Sequence, residues 1–265
     1  MYPRRLRPGH AIVTGAASGL GRSMADLLAA QGWTVARVDL PAATWPPAGA
    51  GDLHLAFDVR DAAAWRALHD RLRAEWPALD LLVNAAGVGV AGEVGTVPAE
   101  QWRRVVETNL VGTALGCETF VPWLRTAPRR GHLVNVASIT GLVAFPAMAA
   151  YSASKAGIVA LSNAIAAECP RRELCVTLVC PGFFRSGLLD TWHFTSAAAE
   201  REARRRMAAS FWTAERLARR VLRAVARRRR YVVVGIRARW VWRLARIAPR
   251  ITPGLIRLVY RRRVR

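Results

Sequence analysis

His10-Ala11-Ile12-Val13-Thr14-Gly15-Ala16-Ala17-Ser18-Gly19-Leu20-Gly21 is the stretch on which the reading of this chain turns. A short apolar run passes into three closely spaced glycines and then into an Ala- and Leu-rich segment. The run suits a strand, and the glycines allow a tight strand-to-helix turn with close backbone approach to a pyrophosphate. The helix start behind such a turn offers free N–H groups and a favourable dipole to an anion. Glycines also make plain turns, so the motif gains its weight from standing between a first strand and a first helix.

Outward from that turn, apolar runs alternate with helical patterns. Strands are expected over residues 10–14, 34–39, 53–57, 79–84, 132–137, 175–180 and 231–234. Helices are expected over 20–31, 62–75, 99–125, 151–168 and 214–227, with a Pro- and Gly-rich connection over 41–52. Continuous Val/Ile/Leu runs fit strands covered on both faces, and the alternation implies βαβ units in an α/β fold with a parallel sheet. Residues 131–154 contain no charged side chain, but Asn135, Ser138, Thr140, Pro146, Ser152 and Ser154 interrupt them, so they read as strand, loop and helix start rather than a membrane span.

The 265 residues are 52% hydrophobic and 22% charged, which excludes a disordered chain. Cys117, Cys169, Cys175 and Cys180 show no paired spacing and read as reduced, mostly buried thiols of a cytoplasmic protein; no metal site is expected. The basic start of the chain lacks the apolar core of a signal peptide. Charge is lopsided. Of the net +22, residues 216–265 supply +18 from 18 arginines and no acid, so the body is an ordinary domain and the tail is the basic part. Lys155 is the single lysine.

Asp39 ends the second expected strand 18 residues after Gly21, where an acid would bind the adenosine ribose hydroxyls and repel a 2′-phosphate. NAD is therefore favoured over NADP. Arg37 shares the strand face of Asp39, which leaves NADP open. Tyr151 and Lys155 stand at i and i+4, on one face of a helix. An ammonium about 4 Å from a phenolate stabilises it by roughly 4 kcal/mol at an effective dielectric of 20, up to about three pKa units below the ordinary tyrosine value near 10. Such a pair would exchange protons near neutrality.

Thr14-Gly-x-x-x-Gly-x-Gly21, Asp58-Val59, Asn84-Ala85-Ala86-Gly87, Asn109, Ser138, Tyr151-x-x-x-Lys155 and Pro181-Gly182 with Ser186 follow one another in order. Together they resemble the short-chain dehydrogenase/reductase family over roughly residues 10–235. The resemblance implies a doubly wound Rossmann fold with a mostly seven-stranded parallel sheet. It implies Tyr151 as general acid/base, Lys155 binding the nicotinamide ribose and lowering the pKa of Tyr151, Ser138 hydrogen-bonding the substrate oxygen, and Asn109 holding a relay water. Gly15, Ser18, Gly19, Leu20, Gly21 and Asp39 would bind the cofactor with Asp58 and Val59 at its adenine. Asn84, Ala85, Ala86 and Gly87 would line it, and Pro181, Gly182, Phe184 and Ser186 would meet its nicotinamide end. Ser186 stands where the family more often has Thr, and Val83 where it often has Asn. Both changes are mild. A homodimer or homotetramer is also implied.

The segment after Gly182 is rich in Phe, Leu and Trp, as is 142–145, which suits a hydrophobic alcohol or ketone or, equally, core packing. Residues 236–265 form a basic extension beyond a catalytic domain of 1–235. On a helical wheel Arg239, Arg243, Arg246 and Arg250 make one stripe and Trp240, Leu244, Ile247 and Ile251 the next; Thr252-Pro253 opens a second helix, 253–260. A peripheral attachment to the anionic inner membrane face is the favoured reading of this tail. Packing on its own domain or a second copy, and nonspecific nucleic-acid binding, are its rivals; no specific nucleic acid is expected. The whole reads as an NAD-dependent oxidoreductase for a hydrophobic secondary alcohol or ketone. An NADPH-dependent carbonyl reductase and a non-catalytic membrane scaffold of the same fold are the alternatives.

Overall fold

The computed structural model describes residues 6–45 and 52–264. Residues 1–5, residues 46–51 of the 41–52 connection, residue 265 and the side chains of 259 and 261–264 lie outside the described residues. In chain order the elements are β1 (His10–Thr14), α1 (Gly19–Ala29), β2 (Thr34–Asp39), β3 (Asp52–Ala56), α2 (Ala62–Glu75), β4 (Leu81–Asn84), β5 (Val90–Ala91), α3 (Ala99–Val106), α4 (Gly112–Arg125), β6 (Gly131–Val136), α5 (Ile139–Leu142), α6 (Ala149–Glu168), β7 (Leu174–Pro181), β8 (His193–Phe194), α7 (Ala197–Ala208), α8 (Ala214–Ala226), β9 (Tyr231–Val234), α9 (Ile236–Ile247) and α10 (Thr252–Val264).

Seven strands form one sheet in the order β3-β2-β1-β4-β6-β7-β9, all parallel. This is the doubly wound arrangement. The strand order reverses at β1, which pairs β2 on one side and β4 on the other, and ligands bind beyond the strand ends at such a point. The pleat sends Ala11 and Val13 to one face, packed with Met24, Leu28, Leu217 and Val221 of α1 and α8. Ile12 goes to the other, with Trp65, Leu72, Phe120 and Leu124 of α2 and α4. Both faces are covered, which is why the strands read as unbroken apolar runs.

The helix expected over 99–125 is broken by a π-helical turn, Glu107–Val111, between α3 and α4. Its cause is Asn109, whose side chain accepts from the Val88 N–H at 2.9 Å and donates to the Val88 carbonyl at 3.0 Å. That clasp anchors the helix sideways, and the wider turn lets Asn109 reach it. Two-residue strands β5 and β8 pair parallel above the main sheet. Neither was expected, because two residues carry no periodicity.

The tail rests on the body. Ala238 and Trp242 pack with Val233, Leu142 and Phe145, and the Trp242 ring stacks on Tyr231 with centroids 5.8 Å apart. Trp240, Leu244, Ile247 and Ile251, the apolar stripe of the expected amphipathic helix, face outward; Ile247 is 83% exposed. Thr252 does not act as a free cap: its hydroxyl donates to the Ala248 carbonyl at 2.9 Å. Among the described residues no helix is long and apolar enough to cross a membrane.

Candidate active site

The glycine turn lies at the carboxyl end of β1. The Thr14 hydroxyl accepts the N–H groups of Ala85 and Ala86, both at 3.0 Å, and so ties this turn to the 84–87 segment that follows β4. Gly21 packs so close that a Cβ there would stand 2.2 Å from the Gly15 carbonyl oxygen. Gly19 has φ +54° and faces open space: a Cβ would meet only Ser186, at 3.8 Å. Ser18 makes no side-chain cap and the first turn of α1 carries no acid. The start of α1, with Leu20 on its buried side, therefore keeps its N–H groups and positive dipole end for an outside anion.

Asp39 stands beside this turn and accepts from the Ala17 N–H at 2.8 Å. Arg37 does not stand with it. Its guanidinium is buried, 2.6 Å from Asp26 and 2.8 Å from Asp52. The strand alternation that placed Arg37 on the face of Asp39 missed these two carboxylates, which draw it away from a bound 2′-phosphate. Asp58 and Val59 lie across the strand ends; Arg60 beside Asp58 holds its carboxyl below the usual range, and the Val59 carbonyl accepts from the Trp65 indole at 2.8 Å. These features fit a dinucleotide: an open helix start for phosphates, an acid at the ribose position and a half-open cleft lined by Asp58, Glu107 and Val111.

Ser138, Tyr151 and Lys155 converge at the end of β6. Ser138 stands near enough to Tyr151 to act against the effect of burial on its hydroxyl, and it caps α5 by accepting from the Thr140 N–H at 3.2 Å. Lys155 Nζ donates to the Val136 carbonyl at 3.0 Å and lies 5.7 Å from the Tyr151 ring centroid. Asn109 completes the group: besides its clasp on Val88 it donates to Ser154 Oγ at 3.0 Å, and the Ser154 hydroxyl donates to the Tyr151 carbonyl at 2.8 Å. Gly87 abuts the group, since a Cβ there would sit 3.4 Å from Lys155 Nζ.

The electrostatics differ from the expected lowering of Tyr151. Burial pushes its hydroxyl up to about 12, against the smaller opposite effect of Ser138. Burial also brings Lys155 down to about 8. Desolvation dominates at both groups, because each charged form loses water; Ser138 opposes it at Tyr151 and Cys180 at Lys155. The chain by itself thus holds Tyr151 firmly as a proton donor.

The 84–87 segment was expected both to line the cofactor and to support the sheet. Asn84 is a sheet support, donating to Asn135 Oδ1 at 2.9 Å, while Asn135 donates to Ser162 at 3.0 Å. Phe184 is buried in the core with Leu20, so it lies behind the phosphate turn. Pro181 ends β7, Gly182 follows it, and Ser186 caps the short 3₁₀ turn Gly187–Thr191. Ser154 was missed, while Trp192 stands in the apolar segment after Gly182 that was expected to meet the substrate. Trp192 covers Tyr151 with ring centroids 4.9 Å apart and lies flat on Gly89. A serine inside an apolar helix three residues after the key tyrosine was the one visible signal for Ser154.

The family model described as short chain dehydrogenase matches residues 9–196, and the chain belongs to that family. It is 34% identical over 197 residues to "Probable oxidoreductase EphD" of Mycobacterium tuberculosis, a match covering 72% of this chain and 33% of that protein. The chain thus spans about a third of the length of that relative. It is 30% identical over 198 residues to the 3-ketodihydrosphingosine reductase of Bacteroides thetaiotaomicron, covering 74% and 72% of the two. A crystal structure of a short-chain dehydrogenase/reductase from Burkholderia phymatum in complex with NAD superposes with a TM-score of 0.80 at 27% identity, over 93% of this chain and 95% of that one.

Proposed function

We propose that this protein transfers a hydride between NAD and a hydrophobic secondary alcohol or ketone, with Tyr151 as general acid/base. The convergence of the Tyr151 and Ser138 hydroxyls above buried Lys155, beside the open start of α1, carries this reading. In reduction, Ser138 holds the carbonyl oxygen and Tyr151 gives it a proton, which a hydroxyl held near 12 is suited to do. In oxidation Tyr151 must take a proton, and the chain's own groups oppose that. The bound cofactor supplies the hydride acceptor and, when oxidised, a positive charge that favours the phenolate. Lys155 holds the ribose side of the site, and Asn109 fixes α6 against the loop after β4 and holds a relay water.

Asp39 supports NAD, with Arg37 withdrawn into its ion pairs. The Burkholderia structure with NAD and the reductase named for 3-ketodihydrosphingosine are in keeping with this cofactor and with a hydrophobic carbonyl. NADP remains the alternative cofactor. The arginine-flanked apolar stripe of the tail supports peripheral attachment to an anionic membrane, and the family supports a homodimer or homotetramer. The test is titration of the purified protein with NADH and with NADPH, beside oxidation of aliphatic secondary alcohols with NAD. Tyr151→Phe is expected to lower turnover on the order of 10²-fold or more while the NADH Kd stays constant. Turnover unchanged by Tyr151→Phe would remove Tyr151 from the chemistry.

A further inference from the structure

A groove of about 440 Å³ runs between the 143–146 segment and the two tail helices. Val143, Phe145 and Pro146 form one side, and Ala245, Pro249 and Ile256 the other. The Thr252 hydroxyl in its wall is already given to the Ala248 carbonyl, so the lining there is carbon. Tyr260, also in the lining, donates to Glu93 Oε1 at 2.5 Å and so fastens the tail to the loop after β5. Arg257 lines the groove and makes no ion pair among the described residues. A volume of this size falls among small-molecule sites.

Two observations say what occupies it. The 143–146 segment runs between Ser138 and Tyr151 in the chain, and the next residue, Ala147, accepts a hydrogen bond from Gly92 at 2.8 Å. One wall of the groove is therefore part of the loop that joins Ser138 to Tyr151 along the chain. On the tail side, Leu244 and Leu255, neighbours of the lining residues Ala245 and Ile256, belong to the outward apolar stripe with arginines on both flanks. An apolar groove walled on one side by the Ser138–Tyr151 loop and bordered on the other by an arginine-flanked apolar surface suits a ligand that is itself part of an anionic bilayer.

We propose that this groove binds one unbranched alkyl chain of a membrane-borne substrate whose oxygen is held at Ser138 and Tyr151. The inference rests on the oxidoreductase reading above and deepens it by naming the substrate class. The probe is cis-parinaric acid, a fluorescent unbranched fatty acid, titrated into the full-length protein. Ala245→Trp fills the groove and Ile256→Glu charges it from the other helix, so the two variants do not share a folding risk. Each is expected to weaken parinaric acid at least tenfold while the NADH Kd stays at the wild-type value. In wild-type protein kcat/KM for the series hexan-2-ol to tetradecan-2-ol rises about fourfold per methylene, the transfer gain of a buried CH₂; in Ala245→Trp the rise flattens. No parinaric acid binding by the wild type, or undiminished binding by both variants, overturns the proposal. So does sedimentation showing a dimer that Ala245→Trp splits without any fatty-acid binding, since a second copy would then cover the groove. Absent NADH binding alongside groove-dependent parinaric acid binding would instead sink the oxidoreductase reading and leave the chain site standing.

Discussion

Tyr151 and Lys155 show how one helical turn sets a proton donor. Spacing puts both side chains on one face, yet the hydroxyl is held up at about 12 and the amine down at about 8, because each is encased before it meets the other. Burial moves both groups toward their neutral forms, so the hydroxyl stays protonated near neutral pH while an amine near 8 is still mostly ammonium there. Asp39 is the other residue whose single charge matters. Its hydrogen bond to Ala17 is kept by an amide, while its charge is not. Asp39→Asn is expected to shift the NADPH-to-NADH affinity ratio about tenfold toward NADPH, the order set by removing one nearby like charge. The two Kd values from fluorescence titration measure it, and an unchanged ratio would mean that Asp39 does not select the cofactor.

At the scale of elements, the phosphate turn and the π turn are both set by close approach. Gly21 sits in backbone contact with Thr14 and Gly15, and neither carbonyl has a flexible end that could yield. Gly21→Ala is expected to cost about 1–3 kcal/mol, the usual penalty of overpacking, and to weaken NADH more than tenfold because the turn itself must shift. Urea denaturation and NADH titration read the two effects, and unchanged NADH affinity would contradict the role given to this turn. The expected order of motifs, from Gly15 to Ser186, was legible because each is a short local pattern, at a strand end for the glycine turn or at helical spacing for Tyr151 and Lys155. The break at Glu107–Val111 was not, since its cause is a clasp between Asn109 and Val88, 21 residues apart.

For the whole molecule, the proposed membrane attachment rests on the tail. One side of α9 is packed through Ala238 and Trp242, and the other leaves Trp240, Leu244 and Ile247 outward beside Arg243 and Arg246. The same helix therefore serves packing inward and has an apolar face left for a surface. Joint replacement of Arg239, Arg243 and Arg246 by Gln is expected to weaken binding to phosphatidylserine-containing vesicles on the order of 10²-fold, from roughly 1 kcal/mol per charge near the membrane. Vesicle co-sedimentation at low and high salt checks this; binding that ignores both charge and salt would rule out electrostatic attachment.

Local chemistry in the sequence determined the parallel α/β sheet, the phosphate turn, the acid at the end of β2 and the Ser138–Tyr151–Lys155 set, because strand runs, glycines and helical spacing act over a few residues. Tertiary structure alone decided the rest. It drew Arg37 to Asp26 and Asp52, laid Trp192 on Tyr151, bent the long helix at Asn109 and turned the tail's apolar stripe outward. Each of these depends on which distant group arrives within hydrogen-bonding or packing distance, and on how much water that arrival removes, quantities that have no period along the chain.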